Sequence, residues 1–285
     1  MENATAVIGM GLMGTAIAAR LCTIGRPVVV WNRTPLKCTP LADKGALVAK
    51  TARDAIDTAD TVILVTTTTN DVTGFFDSKP GQLANKDVVN LITGSPRHIR
   101  ELGDHVMRAG AAYLSGTIQC YPSNIGSENA TILFGGAVDV WQRQEPLLRA
   151  LAGGATYLGS KVDMPNIVDV GATAGFFFSA MGACLEAVSY ASREGLGVGE
   201  FRPFVRQALQ LLPAQIDMLL DAVEQQDFGT TDATLSTFSK SMDLFRSAFA
   251  DVDAPDLLLA ANHERIQAAV AAGDGEQGFA ALCRY

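Results

Sequence analysis

Short runs of apolar, β-branched residues alternate with longer amphipathic stretches through the first half of the chain, the pattern of βαβ units feeding a parallel sheet. Strands are predicted at Ala4–Ile8, Pro27–Trp31, Thr61–Val65, Asp87–Leu91, Ala112–Gly116, Thr131–Phe134 and Thr156–Leu158. Helical spacing covers Leu12–Ile24, Leu36–Lys44, Pro96–Ala109 and Val138–Leu151. Pro35 and Pro96 stand where helices start, because a first-turn N–H has no partner to lose. After Lys161 the strand signals stop, and helical periodicity runs over Pro165–Glu194, Glu200–Val223, Thr234–Ala250, Ala254–Ala272 and Gly275–Leu282. The chain therefore reads as an α/β Rossmann domain with a doubly wound, mostly parallel sheet over residues 1–160. An all-α domain follows over 161–285, joined to the first by a long interdomain helix. Unbroken, that helix extends about 45 Å at 1.5 Å per residue. A helix so long and apolar buries part of its surface against another subunit, which predicts a homodimer through the C-terminal helices.

With 285 residues the chain can form two domains and a cleft. A composition of 48% apolar and 18% charged residues is that of a soluble globular protein and leaves no room for long disordered tails. The formal net charge of -8 opposes nucleic-acid binding, which needs clustered Lys and Arg. Cys22, Cys38, Cys120, Cys184 and Cys283 are scattered, with no CxxC pair and no metal-ligand spacing. They read as reduced thiols, with no metal expected. No basic, then apolar, leader precedes the strand at Ala4, so a cytoplasmic location is expected. The uncharged stretch Val170–Leu185 falls short of the roughly 20 residues of a membrane span, so no membrane association is expected. His98, His105 and His263 lie on helices outside the motifs and read as surface or structural residues.

Gly9-Met10-Gly11-Leu12-Met13-Gly14 follows the first strand and opens the first helix, the context that gives a GxGxxG run its meaning. The first glycine permits the tight turn, the second lets backbone approach a pyrophosphate, and the third lets helix and strand pack closely. The helix N-terminus supplies donors and a positive dipole end. NAD enzymes carry an acid about 20 residues on, to bond the ribose 2′-hydroxyl. Here the second strand ends in Asn32-Arg33-Thr34. A guanidinium with no competing acid suits a 2′-phosphate, so NADPH is the expected cofactor, with Lys37 a second positive charge. Thr66 and Thr67 follow the strand Thr61–Val65, and Thr93-Gly94-Ser95 follows Asp87–Leu91. Both lie at the carboxyl edge where a dinucleotide binds, so Thr66, Thr67 and Ser95 are cofactor-binding candidates.

Asp169 is the sole charged residue between Met164 and Leu185. A carboxylate on so apolar a helix must be paired, protonated or functional; the plainer reading is an acid favouring the helix dipole. The runs GMGLMG, WNRTP, NLITGSP and GTIQCYPSNIGSENATILFGG, together with the helix bearing Asp169, resemble the imine reductases of the β-hydroxyacid dehydrogenase superfamily over essentially the whole chain. The dehydrogenases of that superfamily carry a catalytic Lys where this chain has Asp169, and a Ser-Gly-Gly carboxylate anchor where it has Gln119-Cys120-Tyr121-Pro122. The resemblance implies NADPH-dependent reduction of an imine or iminium, with Asp169 as proton donor or counter-ion. For proton donation, burial would have to hold the Asp169 carboxyl group neutral. Unit charges about 4 Å apart interact by roughly 4 kcal/mol at an effective dielectric of 20, so exchanging Lys for Asp reverses the preferred substrate charge.

Thr93, Tyr121, Phe176 and Phe177 are candidates for the substrate pocket, although three aromatic residues in a row, Phe176–Phe178, read first as core. Relatives that couple a ketone with an amine carry Asn at the place of Thr93 and Tyr at that of Phe177, which argues against reductive amination. The rival readings are a 3-hydroxyacid dehydrogenase or semialdehyde reductase, opposed by the missing lysine, and a non-catalytic NADPH-binding protein.

Overall fold

The computed structural model describes residues 3–76, 83–230 and 232–285. Eight strands form one sheet: β1 (Thr5–Ile8), β2 (Val28–Trp31), β3 (Leu47–Val48), β4 (Thr61–Leu64), β5 (Asp87–Asn90), β6 (Ala112–Ile118), β7 (Ile132–Gly136) and β8 (Thr156–Tyr157). Their order is β3-β2-β1-β4-β5-β6-β7-β8, and β7 runs antiparallel to β6 while the strands from β3 to β6 pair in parallel. The order reverses between β1 and β4, where Ile8 lies opposite Leu64. That switch point opens a crevice beyond the carboxyl ends of both strands.

The Val/Ile runs form strands because both faces of the sheet are covered, as a parallel sheet requires. Alternate residues of the same strands enter different cores. Val7, Val30, Ile63 and Val89 pack with Ile17, Leu21, Leu147 and Leu148 on one side; Ile8, Val29, Val62 and Val88 pack with Ile56, Leu102 and Val106 on the other. Each such side chain stabilises the fold by about 1.5–3 kcal/mol. Among the described residues the structure adds four short elements to the sequence expectation: β3, the helix Ala52–Thr58, the turn of helix Asn70–Thr73 and the 3-10 turn Pro122–Asn124. Helix Ala52–Thr58 opens on a capping box, Thr51 accepting from the Asp54 N–H while Asp54 accepts from the Thr51 N–H.

The long C-terminal helix is 30 residues, Met164–Arg193, and is long and apolar enough by length and composition to cross a membrane. This corrects the length argument from Val170–Leu185, which stopped counting at isolated charges. Its middle, Asp169–Phe178, is π-helical, a widened turn that propensity does not predict and that recurs at functional sites. By contact the chain divides into Met1–Thr173 and Ala174–Tyr285, later than the expected boundary after residue 160. Residues just past 160 still touch the sheet: a Cβ on Gly135 would lie 2.4 Å from the Lys161 carbonyl and 2.8 Å from Pro165 Cδ.

Within the second unit a small core gathers Phe228, Leu235, Ile266, Ala269 and Ala280–Leu282. Helix Val198–Gln225 has no buried residue and exposes Phe204, Leu209, Leu211 and Leu220. Phe176, Phe177 and Phe178 are 49%, 50% and 56% exposed, so the core reading of this aromatic run is overturned.

Candidate active site

A cleft of about 450 Å³ lies at the switch point, lined entirely from the first unit. Gly9, Gly11, Leu12, Met13 and Gly14 form one wall, and Gly9 adopts φ +107°. A Cβ on Gly9 would stand 2.4 Å from the Val65 carbonyl oxygen, and one on Gly14 would stand 1.8 Å from the Gly9 carbonyl oxygen. Nothing lies within 4 Å of a Cβ placed on Gly11. Two of the glycines are thus required by the protein's own packing, whereas Gly11 leaves open space before the helix N-terminus. That open cradle, with N–H groups aimed into it, suits a pyrophosphate.

Asn32 braces the turn, its Oδ1 accepting from the Met10 N–H at 2.9 Å and its Nδ2 donating to the Thr34 carbonyl at 3.0 Å. Arg33, Thr34 and Lys37 continue the lining. The Arg33 side chain is 88% exposed, 3.8 Å from Asp71 Oδ1. Asp71 is itself held by the Thr68 N–H and hydroxyl at 3.1 and 2.9 Å. An exposed pair at that distance is worth little, so Arg33 is oriented across the cleft yet free to turn to a phosphate. The donor set therefore fits NADPH. Asp71 has no signal in the GxGxxG register and went unread in the sequence. Hydrogen bonds to charged groups are worth about 1.5–3 kcal/mol, so Arg33→Ala is expected to weaken NADPH binding by roughly 10- to 100-fold and leave NADH nearly unchanged. Fluorescence titration with both nucleotides checks this, and an equal loss for both would remove Arg33 from 2′-phosphate recognition.

Thr66, Thr67 and Thr93 line the cleft as expected from their place after β4 and β5. Ser95 is not among the lining residues. Its hydroxyl accepts from the His98 N–H at 3.3 Å and so caps helix Pro96–Arg108. Tyr121 also lies outside the lining and is 73% exposed, with its backbone N–H given to Asn124 Oδ1. Phe176 and Phe177 belong to the second unit. Among the histidines, His98 is exposed, His105 half-buried and His263 buried.

Asp169 lines the cleft, half-buried. It follows the first turn of its helix, Met164–Val168, and its partner is a side chain of the sheet rather than the helix start. Two alternate residues of β6 and Gln119, the first residue beyond it, place it. Ser115 donates to Asn166 Oδ1 at 3.2 Å, Thr117 donates to the Pro165 carbonyl at 3.3 Å, and Gln119 Nε2 donates to Asp169 Oδ1 at 2.8 Å. Buried Asn166 also donates to the Gly94 carbonyl at 3.1 Å, and Arg100 pairs with Asp163. Thr173, one turn beyond Asp169, donates to Gln119 Oε1 at 2.7 Å. Beside Gln119, burial pushes the Cys120 thiol up from its ordinary value, which keeps it protonated and unsuited to nucleophilic attack. Gln119 and Thr173 escaped sequence reasoning; the available signal was Ser115-x-Thr117-x-Gln119, a polar alternation that runs through β6 and one residue past its end.

Comparison with known proteins gives the same picture at both ends of the chain. Residues 4–159 match the NAD binding domain of 6-phosphogluconate dehydrogenase, and residues 168–285 match the C-terminal domain of NADPH-dependent reductive aminase-like proteins. The chain is 26% identical over 288 residues to the NADPH-dependent reductive aminase of Aspergillus oryzae, covering 100% of this chain and 97% of that protein. An imine reductase structure from Pseudomonas sp. superposes with a TM-score of 0.92 at 27% identity, covering 100% of this chain and 99% of that one. A reductive aminase from Aspergillus terreus, in complex with NADPH4, cyclohexanone and allyl amine, superposes with a TM-score of 0.91 at 25% identity and the same coverage. With the NAD-binding domain in front and the reductive aminase-like domain behind it, the chain belongs to the NADPH-dependent imine reductase family.

Proposed function

We propose that this protein reduces C=N bonds of small imines or iminium ions to amines with NADPH. The observation that carries the reading is the Asp169 carboxylate lining the cofactor cleft, where a cationic substrate gains and a carboxylate substrate is repelled. Bound NADPH supplies the hydride. The open space before Gly11 receives the pyrophosphate, Arg33 and Lys37 receive the 2′-phosphate, and Thr66, Thr67 and Thr93 present hydroxyls along the cleft. Asp169 holds the positive nitrogen of the substrate and so orients the C=N carbon for attack. A 3-hydroxy acid finds no cationic residue on this helix between Met164 and Leu185, which disfavours the dehydrogenase reading. Purified protein is expected to consume NADPH with cyclic imines, and to leave aldehydes untouched. Oxidation of 3-hydroxy acids with NADP⁺ and no imine reduction would overturn the proposal, and turnover of nothing would favour a binding-only protein.

The active form is proposed to be a homodimer in the cytoplasm. Its support is the apolar surface of the second unit: Leu211 and Leu220 on Val198–Gln225 are 64% and 62% exposed, a load that a second copy rather than lipid would cover. The sheet contacts of Pro165 and Asn166 at the start of helix Met164–Arg193 oppose a bilayer setting for it. Sedimentation equilibrium without detergent should return twice the chain mass.

A further inference from the structure

The end of β2 carries no acid, yet the fold brings one there from the opposite wall of the cleft. Asp71, in the turn of helix after β4, lines the same cleft as Arg33, Thr34 and Lys37. The threonine run ahead of it sets its carboxylate. Thr66 donates its hydroxyl to the Thr68 carbonyl at 3.0 Å. Thr68 gives both its N–H and its hydroxyl to Asp71 Oδ2, at 3.1 and 2.9 Å. Two donors on Oδ2 hold the side chain and leave Oδ1 turned to Arg33, whose Nη1 stands 3.8 Å away. A phosphate that takes Arg33 must draw it from Asp71, and it then lies one guanidinium away from a carboxylate, like charge near like charge. A nucleotide with a plain 2′-hydroxyl meets neither cost.

Resting on Arg33 as the ligand of the 2′-phosphate, we propose that Asp71 is a specificity-determining residue that opposes this phosphate and so holds down the preference for NADPH over NADH. Selectivity between the two nucleotides is a difference of affinities. Arg33 and Lys37 enlarge that difference, and Asp71 subtracts from it. The same opposition acts on NADP⁺ after hydride transfer, so the oxidised product is held less tightly than the two cations alone would hold it. Exposure sets the size of the effect: charges that face water interact weakly, and salt screens them over about 10 Å at 0.1 M.

The test uses nucleotides that differ only in the 2′-phosphate, each titrated calorimetrically into the full chain: adenosine 2′,5′-bisphosphate against adenosine 5′-monophosphate, and NADPH against NADH. At low salt, Asp71→Asn and Asp71→Ala should each bind the bisphosphate and NADPH about 3- to 5-fold tighter, with the monophosphate and NADH changed by less than about 2-fold. Asparagine keeps an oxygen for Thr68; alanine removes the side chain and offers no new donor. Raising the salt to about 0.5 M should remove most of the gain. Calorimetry needs no turnover, so the readout stands apart from the reduction of any substrate.

Unchanged or weaker binding of the bisphosphate in both variants would overturn the proposal and make Asp71 a support that aims Arg33 at the phosphate. An equal gain for the monophosphate would overturn it as well, since the carboxylate would then act on the whole nucleotide. So would a gain confined to Asp71→Asn, or one that survives high salt, because either marks a new amide hydrogen bond rather than a lost charge. Should Asp71→Ala fail to fold, Asp71→Asn and its salt dependence decide alone. Failure of the underlying reading looks different: Arg33→Ala then weakens NADPH and NADH equally, whatever the Asp71 variants do.

Discussion

Asp169→Asn is expected to lower kcat/KM for cyclic imines by roughly 100- to 1000-fold, the scale on which loss of a preorganised electrostatic partner falls, with NADPH affinity unchanged. The side chain keeps its size, so cavity formation does not confuse the result. Only the charge goes, and the Gln119 N–H then faces an amide oxygen or an amide N–H instead of an anion. The loss should weigh on the cationic form of the substrate. A neutral ketone, if reduced at all, should lose much less. Steady-state kinetics on matched imine and ketone substrates measure both terms, and an equal loss for the two would mean that Asp169 acts through the fold rather than through its charge.

Gly14→Ala is the second large effect, and it acts on folding and cofactor together. The new Cβ would fall 1.8 Å from the Gly9 carbonyl oxygen, a clash with backbone that no side-chain rotation relieves. Relief requires helix Leu12–Thr23 to move off β1, which costs about 3 kcal/mol by the usual scale of overpacking and withdraws the helix N-terminus from the cleft. A fall in melting temperature together with loss of NADPH binding is expected. Gly11→Ala is the matched control: with open space around its Cβ, it should melt like the unaltered protein and lose only cofactor affinity. Equal melting temperatures for all three proteins would show that the Gly9–Gly14 approach is not required by the fold.

Much of this was legible in the residues. The strands declared themselves because both faces of β1, β4 and β5 are buried, which places adjacent Val and Ile residues at their centres. The helix Val138–Leu151 was read to the residue. The nucleotide turn was legible because its glycines answer to local backbone constraints, and Asp169 stood out because a charge on an apolar helix is rare. What was not legible depends on partners far along the chain. Gln119 and Asp169 are separated by 50 positions and Arg33 and Asp71 by 38, and no local pattern couples them. Ser95, expected as a cofactor ligand, caps a helix, and a helix-capping serine and a ligand-binding serine occupy the same kind of turn. The aromatic run Phe176–Phe178 was misread as core because composition reports that a side chain is oily, not what covers it.

The row Ser115, Thr117 and Gln119 works as a ruler laid along the substrate helix. Each mark engages a different atom of residues 165–169, so the helix cannot slide by a fraction of a turn without losing every mark at once. The height of the carboxylate above the sheet edge is therefore set in steps, not tuned continuously. In this chain that distance follows the two-residue repeat of β6 and the residue after it, so the rest of the cleft wall is what sets the room left beside the carboxylate.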